Sequence, residues 1–306
     1  PYASTHPGRM HACGHDLHVA ALVGAARILD SLRDQLNGKV VFMFQPGEEV
    51  EGGAELMITE GVLDAAGRRV DAAYALHVYS AAHPRGTWFS RPGPLYAAAD
   101  TLYVRVVGEG GHGSAPQHAR DPIPAVSEMV LALQAMVTRR FDARDPVVVT
   151  VGRLWGGTKA NIIPDDAGFD ATVRTFSAAN RDLAEAATVE LVRGIASAHG
   201  LAAEVEYQRG YPVTVNDDGE YDFAAATIVD LFGADRFHRM DLPETGSEDF
   251  SFVLNEVPGA YVCVSACPGD PATAPDNHSP RAAFDDSVLP DAAALLAELA
   301  LRRLQK

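Results

Sequence analysis

Residues 101–110 read TLYVRVVGEG. Apolar and polar side chains alternate, with Leu102, Val104 and Val106 on one side. That period of two predicts a half-buried strand, of the kind found in antiparallel sheets. The stretches on either side of it have a different character, so it marks where one kind of fold gives way to another.

Downstream, DPIPAVSEMVLALQAMVTRRF (121–141) places Val126, Val130, Leu133, Val137 and Phe141 on one helical stripe. PVVVTVGRLWGG (146–157) and AGFDATVRTF (167–176) read as two strands. NRDLAEAATVELVRGIASAHG (180–200) reads as a helix ended by Gly200, and LAAEVEYQRG (201–210) as a last strand. Residues 97–210 therefore spell β-α-β-β-α-β, the ferredoxin-like arrangement, complete in itself.

Upstream, HVAALVGAARILDSLRDQL (18–36) carries Leu22, Ala25, Ala26, Leu29, Leu32 and Leu36 on one helical face, stopped by Asn37-Gly38. KVVFMFQP (39–46) holds five consecutive apolar residues before Pro46 and predicts a strand buried on both faces. AELMITEGVL (54–63) reads as a short helix and VDAAYALHVYS (70–80) as a second buried strand. After residue 212 the pattern returns: a helix in YDFAAATIVDLFG (221–233), a buried strand in AYVCVSA (260–266) and a terminal amphipathic helix in SVLPDAAALLAELALRRL (287–304). Alternating helices and strands build an α/β layer. The expectation is a discontinuous α/β domain with a mixed sheet, residues 1–96 and 211–306, interrupted by a self-contained α+β unit, residues 97–210.

Bulk composition fits this size of fold. Of 306 residues, 47% are apolar and 22% charged, close to the globular average, so a large core can form. The formal net charge of −16 repels phosphate backbones and argues against a nucleic-acid partner. No apolar run reaches the ~20 residues that span a bilayer, so no membrane partner is expected. Three cysteines in so large a chain argue against a disulfide scaffold and suit a reducing, cytoplasmic compartment. The chain opens PYASTHPGRM with its first Met at residue 10, so an upstream start is expected.

Residues with chemical capacity gather where an α/β sheet places its active sites, at strand ends. Cys13 and His15 flank Gly14 in MHACGHDLH (10–18), just before a helix. Thiolate and imidazole together suit Zn, Mn, Co or Ni class ions, although a buried Cys beside a surface His would look the same. Glu48 and Glu49 follow VVFMFQ directly. Paired carboxylates there can divide between metal ligation and general-base work on water; a solvated acidic turn is the plainer alternative. His77 ends YALHV and needs a polar partner, which a backbone carbonyl could equally supply. His278 sits in NHSP after the strand AYVCVSA. The residue types suit a two-metal hydrolytic centre, and a Cys–His nucleophile pair would leave the carboxylates and other histidines unexplained. Asp16 and His18 read as supporting or helix-start residues. GEGGHG (108–113) lacks the Lys-Ser/Thr ending of a phosphate loop. Cys263 and Cys267 read as core thiols in preference to a metal pair.

GRMHACGHDLH, QPGEE, ALHV, GGHGSAPQHARDP, NIIP, VRTF, GSEDFSF and NHSP occur in this order over essentially the whole chain. In this the sequence resembles the M20 metallopeptidases, and most closely subfamily D, the amidohydrolases of N-acyl amino acids such as hippurate hydrolases, N-acetyl-diaminopimelate deacetylases and auxin-conjugate hydrolases. The resemblance implies two divalent metal ions (Mn, Zn, Co or Ni) held by Cys13, His15, Glu49, His77 and His278, with Glu48 as general base. It implies that 97–210 is a lid and dimerisation domain of a homodimer. His112 would polarise the scissile carbonyl in the partner's active site, and Asn161 and Arg174 would hold the substrate near its carboxylate. The substrate would be a small N-acyl amino acid or a short peptide. Two further readings are an exopeptidase acting on dipeptides and a truncated, non-catalytic binding protein. Members of the subfamily carry a further N-terminal segment with an Arg-Ala-Asp-Met-Asp stretch. Its absence here predicts a sheet with an unpaired edge. EEVEGGA (48–54) also departs from a more Gly-rich family run.

Overall fold

The computed structural model describes residues 3–49 and 52–305. Along the chain come α1 (His15–Ser31), α2 (Gly53–Thr59), β1 (Ala73–Tyr79), β2 (Trp88–Ser90), β3 (Gly93–Tyr96), β4 (Ala98–Val107), β5 (Gly111–His112), α3 (Pro122–Arg140), β6 (Val147–Gly156) and β7 (Ile162–Ile163). There follow β8 (Asp166–Thr175), α4 (Ala178–Ala198), β9 (Ala202–Arg209), β10 (Thr214–Asn216), α5 (Asp218–Phe232), β11 (Phe237–Arg239), α6 (Ser251–Glu256), β12 (Gly259–Ser265) and α7 (Leu289–Arg303). The chain divides into two compact units. One comprises Pro1–Leu95, Val215–Leu242 and Asp249–Lys306, the other Tyr96–Thr214 and Pro243–Glu248.

The first unit is built on a mixed four-stranded sheet in the order β1-β12-β2-β11. β1 and β12 run parallel, from Ala73 opposite Gly259 to Tyr79 opposite Ser265. β12 is antiparallel to β2, and β2 is parallel to β11. Every residue of β12 is buried, as a central strand covered on both faces must be. On one face, Leu17 and Ala21 of α1, Ala224 and Ile228 of α5, and Ala292, Leu295 and Leu299 of α7 pack against Val78, Trp88, Val262 and Val264. Trp88 is fully buried and stacks on Phe232 with ring centroids 5.5 Å apart. Such a pair contributes about 0.5–1.5 kcal/mol beyond its area.

One expected strand does not form. Residues 39–46 have no strand assignment, and among the described residues no ladder pairs with them. The expected burial on both faces fails too. Val40 and Phe42 pack under α1 and α7 against Ala25, Leu29 and Ala297, whereas Phe44 is 45% exposed. An apolar run signals a preference for extended backbone, but a strand also needs a neighbour to bond. The short strands β2, β5, β7 and β11 span two or three residues each and leave no periodic signature in the sequence.

The second unit carries a four-stranded antiparallel sheet, ordered β6-β8-β4-β9, with α3 and α4 on one face. Reading its elements in sequence gives β4-α3-β6-β8-α4-β9, the ferredoxin-like order. Leu102, Val104 and Val106 point inward, as their alternation requires, and meet Phe169, Ala171 and Val173 of β8. The stripe on α3 is refined: Val126 and Leu133 are buried with Met129 and Met136, whereas Val130, Val137 and Phe141 pack at its margin. Asp121 Oδ1 caps α3 by accepting from Ile123 N at 3.0 Å, and Ser177 Oγ caps α4 by accepting from Asn180 N at 3.1 Å. Inside this unit Asp100, 2% exposed, receives Arg181 at Nη2–Oδ1 2.6 Å, Gly210 N at 3.0 Å and Tyr207 Oη at 3.1 Å. Among the described residues, no helix is long and apolar enough to cross a membrane.

Candidate metal centre

Cys13 and His15 reach the centre because the chain turns sharply between them. Gly14 has φ 80°, the left-handed region, and a Cβ there would lie 2.4 Å from Val78 Cγ2. Only glycine satisfies both conditions. α1 starts at His15, three residues earlier than the periodicity alone suggested, with Asp16 in its first turn. There the acidic side chain meets the positive end of the helix dipole.

Four segments converge on the thiol of Cys13, which is 6% exposed. His278 Nε2 lies 3.0 Å and His77 Nε2 3.4 Å from Cys13 Sγ. Glu49 Oε1 stands 3.5 Å from His278 Nε2 and 3.7 Å from His15 Nε2, and Glu48 Oε2 3.8 Å from His15 Nε2. The potential donor atoms of Cys13, His15 and His77 lie within 4.8 Å of one another. So do those of Cys13, Glu49 and His278, and those of His15, Glu48 and Glu49. The structure thus brings together all five expected ligands and the expected base.

The protonation states favour cation binding. His77 Nδ1 bonds Val78 O at 2.8 Å, so it carries the proton and leaves a lone pair on Nε2, the atom that faces Cys13. Burial pushes the His77 imidazolium down to about 4 and lowers His15 as well, so both rings are neutral at pH 7. Glu48 is raised to about 7, first by desolvation, then by the charges of Glu49 and Asp249. A carboxylate destabilised in this way gains from a nearby cation and holds a proton readily, the property a general base needs near neutrality. One thiol, three imidazoles and two carboxylates form a donor set that fits borderline transition-metal ions.

Two residues that the sequence pattern left without a role organise this cluster. Asn277, beside His278, donates from Nδ2 to Val78 O at 3.0 Å and Cys13 O at 3.4 Å, and its Oδ1 accepts from Ser80 N at 2.8 Å. It ties the Cys13 loop and the end of β1 to the loop bearing His278. His278 itself has φ 68°, strained for a non-glycine residue, and its N–H bonds Ala12 O at 2.8 Å. Asp249 accepts from Gln45 Nε2 at 2.6 Å and from Ala54 N at 3.0 Å. His18 serves the scaffold. Its Nε2 accepts from Val78 N at 3.0 Å, and burial holds its pKa well below the usual imidazole value. Cys263 and Cys267 are buried core thiols, with Cys267 Sγ 3.4 Å from Gly269 O. Val50 and Glu51 of the EEVEGGA stretch lie outside the described residues.

His112, Asn161 and Arg174 belong to the second unit. The β5–β7 ladder sets His112 opposite Ile162, and Gly113 N donates to Asn161 O at 2.9 Å, so His112 and Asn161 are neighbours. His112 is exposed, with Nδ1 2.9 Å from Ser114 Oγ. Arg174 projects from β8 with its Nη1 buried and without a hydrogen-bond partner. Desolvation lowers its pKa.

Comparison with known proteins shows the family and the fold. The sequence matches peptidase family M20/M25/M40 over residues 1–302. It is 36% identical over 304 residues to IAA-amino acid hydrolase ILR1-like 4 of Arabidopsis thaliana, covering 97% of this chain and 67% of that protein. It is 35% identical over 305 residues to N-acetyl-L-cysteine deacetylase of Bacillus subtilis (strain 168), covering 99% of this chain and 70% of that one. The fold superimposes on a Bacillus subtilis protein described as a dinuclear metal-binding peptidase from the M20 family. The TM-score is 0.82 at 30% identity, covering 100% of this chain and 76% of that structure. The chain belongs to peptidase family M20/M25/M40.

Proposed function

We propose that this protein is a metal-dependent amidohydrolase that cleaves N-acyl amino acids to a carboxylate and a free amino acid. The observation that carries the reading is the convergence of Cys13, His15, Glu49, His77 and His278 around one another, with Glu48 beside them. Relatives named for hydrolysis of IAA-amino acids and N-acetyl-L-cysteine support the substrate class. The five residues would hold two divalent ions of the Mn, Zn, Co or Ni class, a reading supported by the dinuclear metal binding described for the similar Bacillus subtilis peptidase. When bound, the ions supply Lewis-acid polarisation of the amide and of the attacking water.

The remaining chemistry falls to the chain. Glu48 takes a proton from the attacking water as its oxygen bonds to the amide carbon. It then gives that proton to the leaving nitrogen as the C–N bond breaks. His112 donates a hydrogen bond to the carbonyl oxygen, where negative charge develops. Arg174 binds the substrate carboxylate, and its unpartnered buried Nη1 is the donor such a group satisfies. Asn161, neighbouring His112, orients the same end of the substrate. Residues 1–96 and 211–306 act as the catalytic domain and 97–210 as a lid through which a homodimer forms. The three buried thiols suit a reducing, cytoplasmic compartment.

A panel of N-acetyl, N-benzoyl and indoleacetyl amino acids, with dipeptides alongside, tests this after Mn or Zn loading. The expected result is turnover of N-acyl amino acids that Glu48→Gln lowers by at least about 10²-fold. Faster turnover of dipeptides would identify an exopeptidase. Metal binding without any turnover would identify a binding protein.

A further inference from the structure

GSEDFSF (246–252) has no part in the proposed chemistry. Its Asp249 is 0% exposed. A carboxylate in that position persists only if its oxygens are bonded. Oδ1 accepts from Gln45 Nε2 at 2.6 Å and Oδ2 accepts from Ala54 N at 3.0 Å. Those two donors bracket one segment. Gln45 immediately precedes residues 46–53 and Ala54 immediately follows them, and between them lie Glu48 and Glu49.

The neck of this loop is tight. A Cβ on Gly53 would stand 1.8 Å from Pro46 O, so the two ends of the loop touch and only glycine allows it. Asp249 has a rigid support. Phe252 N donates to Asp249 O at 3.0 Å as α6 begins, and the Phe250 ring packs on Tyr261 of β12 at 5.8 Å. One anchored carboxylate therefore grips both ends of the loop through hydrogen bonds strengthened by its charge.

We propose that Asp249 is the positioning residue for Glu48 and Glu49, tying Gln45 to Ala54 on either side of them so that both carboxylates face His15. The proposal rests on the reading of Glu48 as general base. Its geometric part, that Asp249 fixes the loop, stands apart from that reading. General-base catalysis is sensitive to such support, since a misplacement of about 1 Å costs about 10²-fold in rate.

The test compares Asp249→Ala with Asp249→Asn in the full chain. Asparagine has the same shape. Its Oδ1 accepts from Ala54 N, and its Nδ2 donates to Gln45 once the Gln45 amide turns over. In the metal-free protein, exchange of the Ala54 amide hydrogen is followed by NMR. In the metal-loaded protein, kcat and KM are measured on the best N-acyl amino acid. Asp249→Ala is expected to speed Ala54 exchange at least about tenfold and lower kcat about 10²-fold, with KM within about threefold. Asp249→Asn is expected to keep Ala54 protected and kcat within about fivefold. A merely structural role would lower the melting temperature in both variants and leave the split between kcat and KM unchanged.

Ala54 exchange at the wild-type rate in Asp249→Ala overturns the proposal, as does an unchanged kcat. Equal loss of kcat in both variants also overturns it, assigning the effect to charge and not to position. If Asp249→Ala does not fold, Gln45→Ala opens one side of the same neck and is read by the same exchange and kinetics. If the wild-type chain turns over nothing, the function reading fails and the exchange result alone decides whether Asp249 fixes the loop.

Discussion

Replacing Asn277 by alanine removes a clamp while leaving every proposed ligand in the chain, although it also takes away the Nδ2 contact to Cys13 Sγ at 3.7 Å. Ser80 is 0% exposed, and its N–H, which donates to Asn277 Oδ1 at 2.8 Å, loses that acceptor. A buried orphan donor costs about 1–3 kcal/mol. Val78 O loses the Nδ2 contact at 3.0 Å but keeps the His77 Nδ1 contact at 2.8 Å, so only the net worth of one bond is lost there, about 0.5–1.5 kcal/mol. Together the metal-free protein should lose roughly 2–4 kcal/mol. At about 2–4 °C per kcal/mol for a domain of this size, Tm should fall by roughly 4–15 °C. The metal dissociation constant should rise about 10–100-fold, because Asn277 orients the Cys13 and His278 loops. Thermal melting of the metal-free chain and a metal titration against a competing chelator read the two effects. His278→Ala is the control. That side chain is 65% exposed, so its loss should weaken metal binding while moving the metal-free Tm little. If metal-free Asn277→Ala melts with the wild type, the clamp contributes nothing and the reasoning is refuted.

Other consequences follow from the same geometry. Gly14→Ala forces a Cβ against Val78 Cγ2 at φ 80° and should abolish metal binding, as measured by bound metal per chain. Asp100→Ala strands the buried Arg181 guanidinium in the second unit and should cost about 3–5 kcal/mol in denaturant unfolding. In the metal-free chain, Glu48 ionises near 7 when folded against 4.5 ordinarily, so its fold-favouring contribution is present below pH 4.5 and fades as pH rises to about 7. Glu48→Gln should therefore raise the metal-free Tm at pH 8 and leave it nearly unchanged at pH 4.5. Adding metal should raise the wild-type Tm in proportion to the logarithm of its concentration, and a chelator should reverse the gain.

The parts of the fold that were legible in the sequence are those whose pattern repeats. Leu102, Val104 and Val106 fix one face of β4 by alternation, and the stripe on α3 fixes its inward side, so the ferredoxin-like order follows from pattern alone. The run VVFMF failed as a guide because an apolar stretch states a preference and not the presence of a partner; Phe44 stands in the open. The candidate cluster was legible chiefly through the ordered family motifs; thiol, imidazole and carboxylate by themselves left a buried Cys, a solvated acidic turn and a core His as alternatives, and the strand expected before Glu48 does not form. Asn277 and Asp249 were not. An amide or acid in a loop usually caps a turn, and only the folded chain reveals that these two bond across about 200 residues of sequence, to Ser80 and Gln45. His18, read from the sequence as a supporting or helix-start residue, accepts from Val78 N through its lone pair.

Metal content per chain, measured by mass spectrometry after loading with Mn or Zn and removal of loosely held ions, tests the central claim most directly. The cluster of Cys13, His15, Glu49, His77 and His278 predicts about two equivalents in the wild type. It predicts a clear loss in Cys13→Ala and His77→Ala, and retention in Glu48→Gln. A folded wild-type chain that retains no metal, or retains it equally in Cys13→Ala and His77→Ala, would contradict the account.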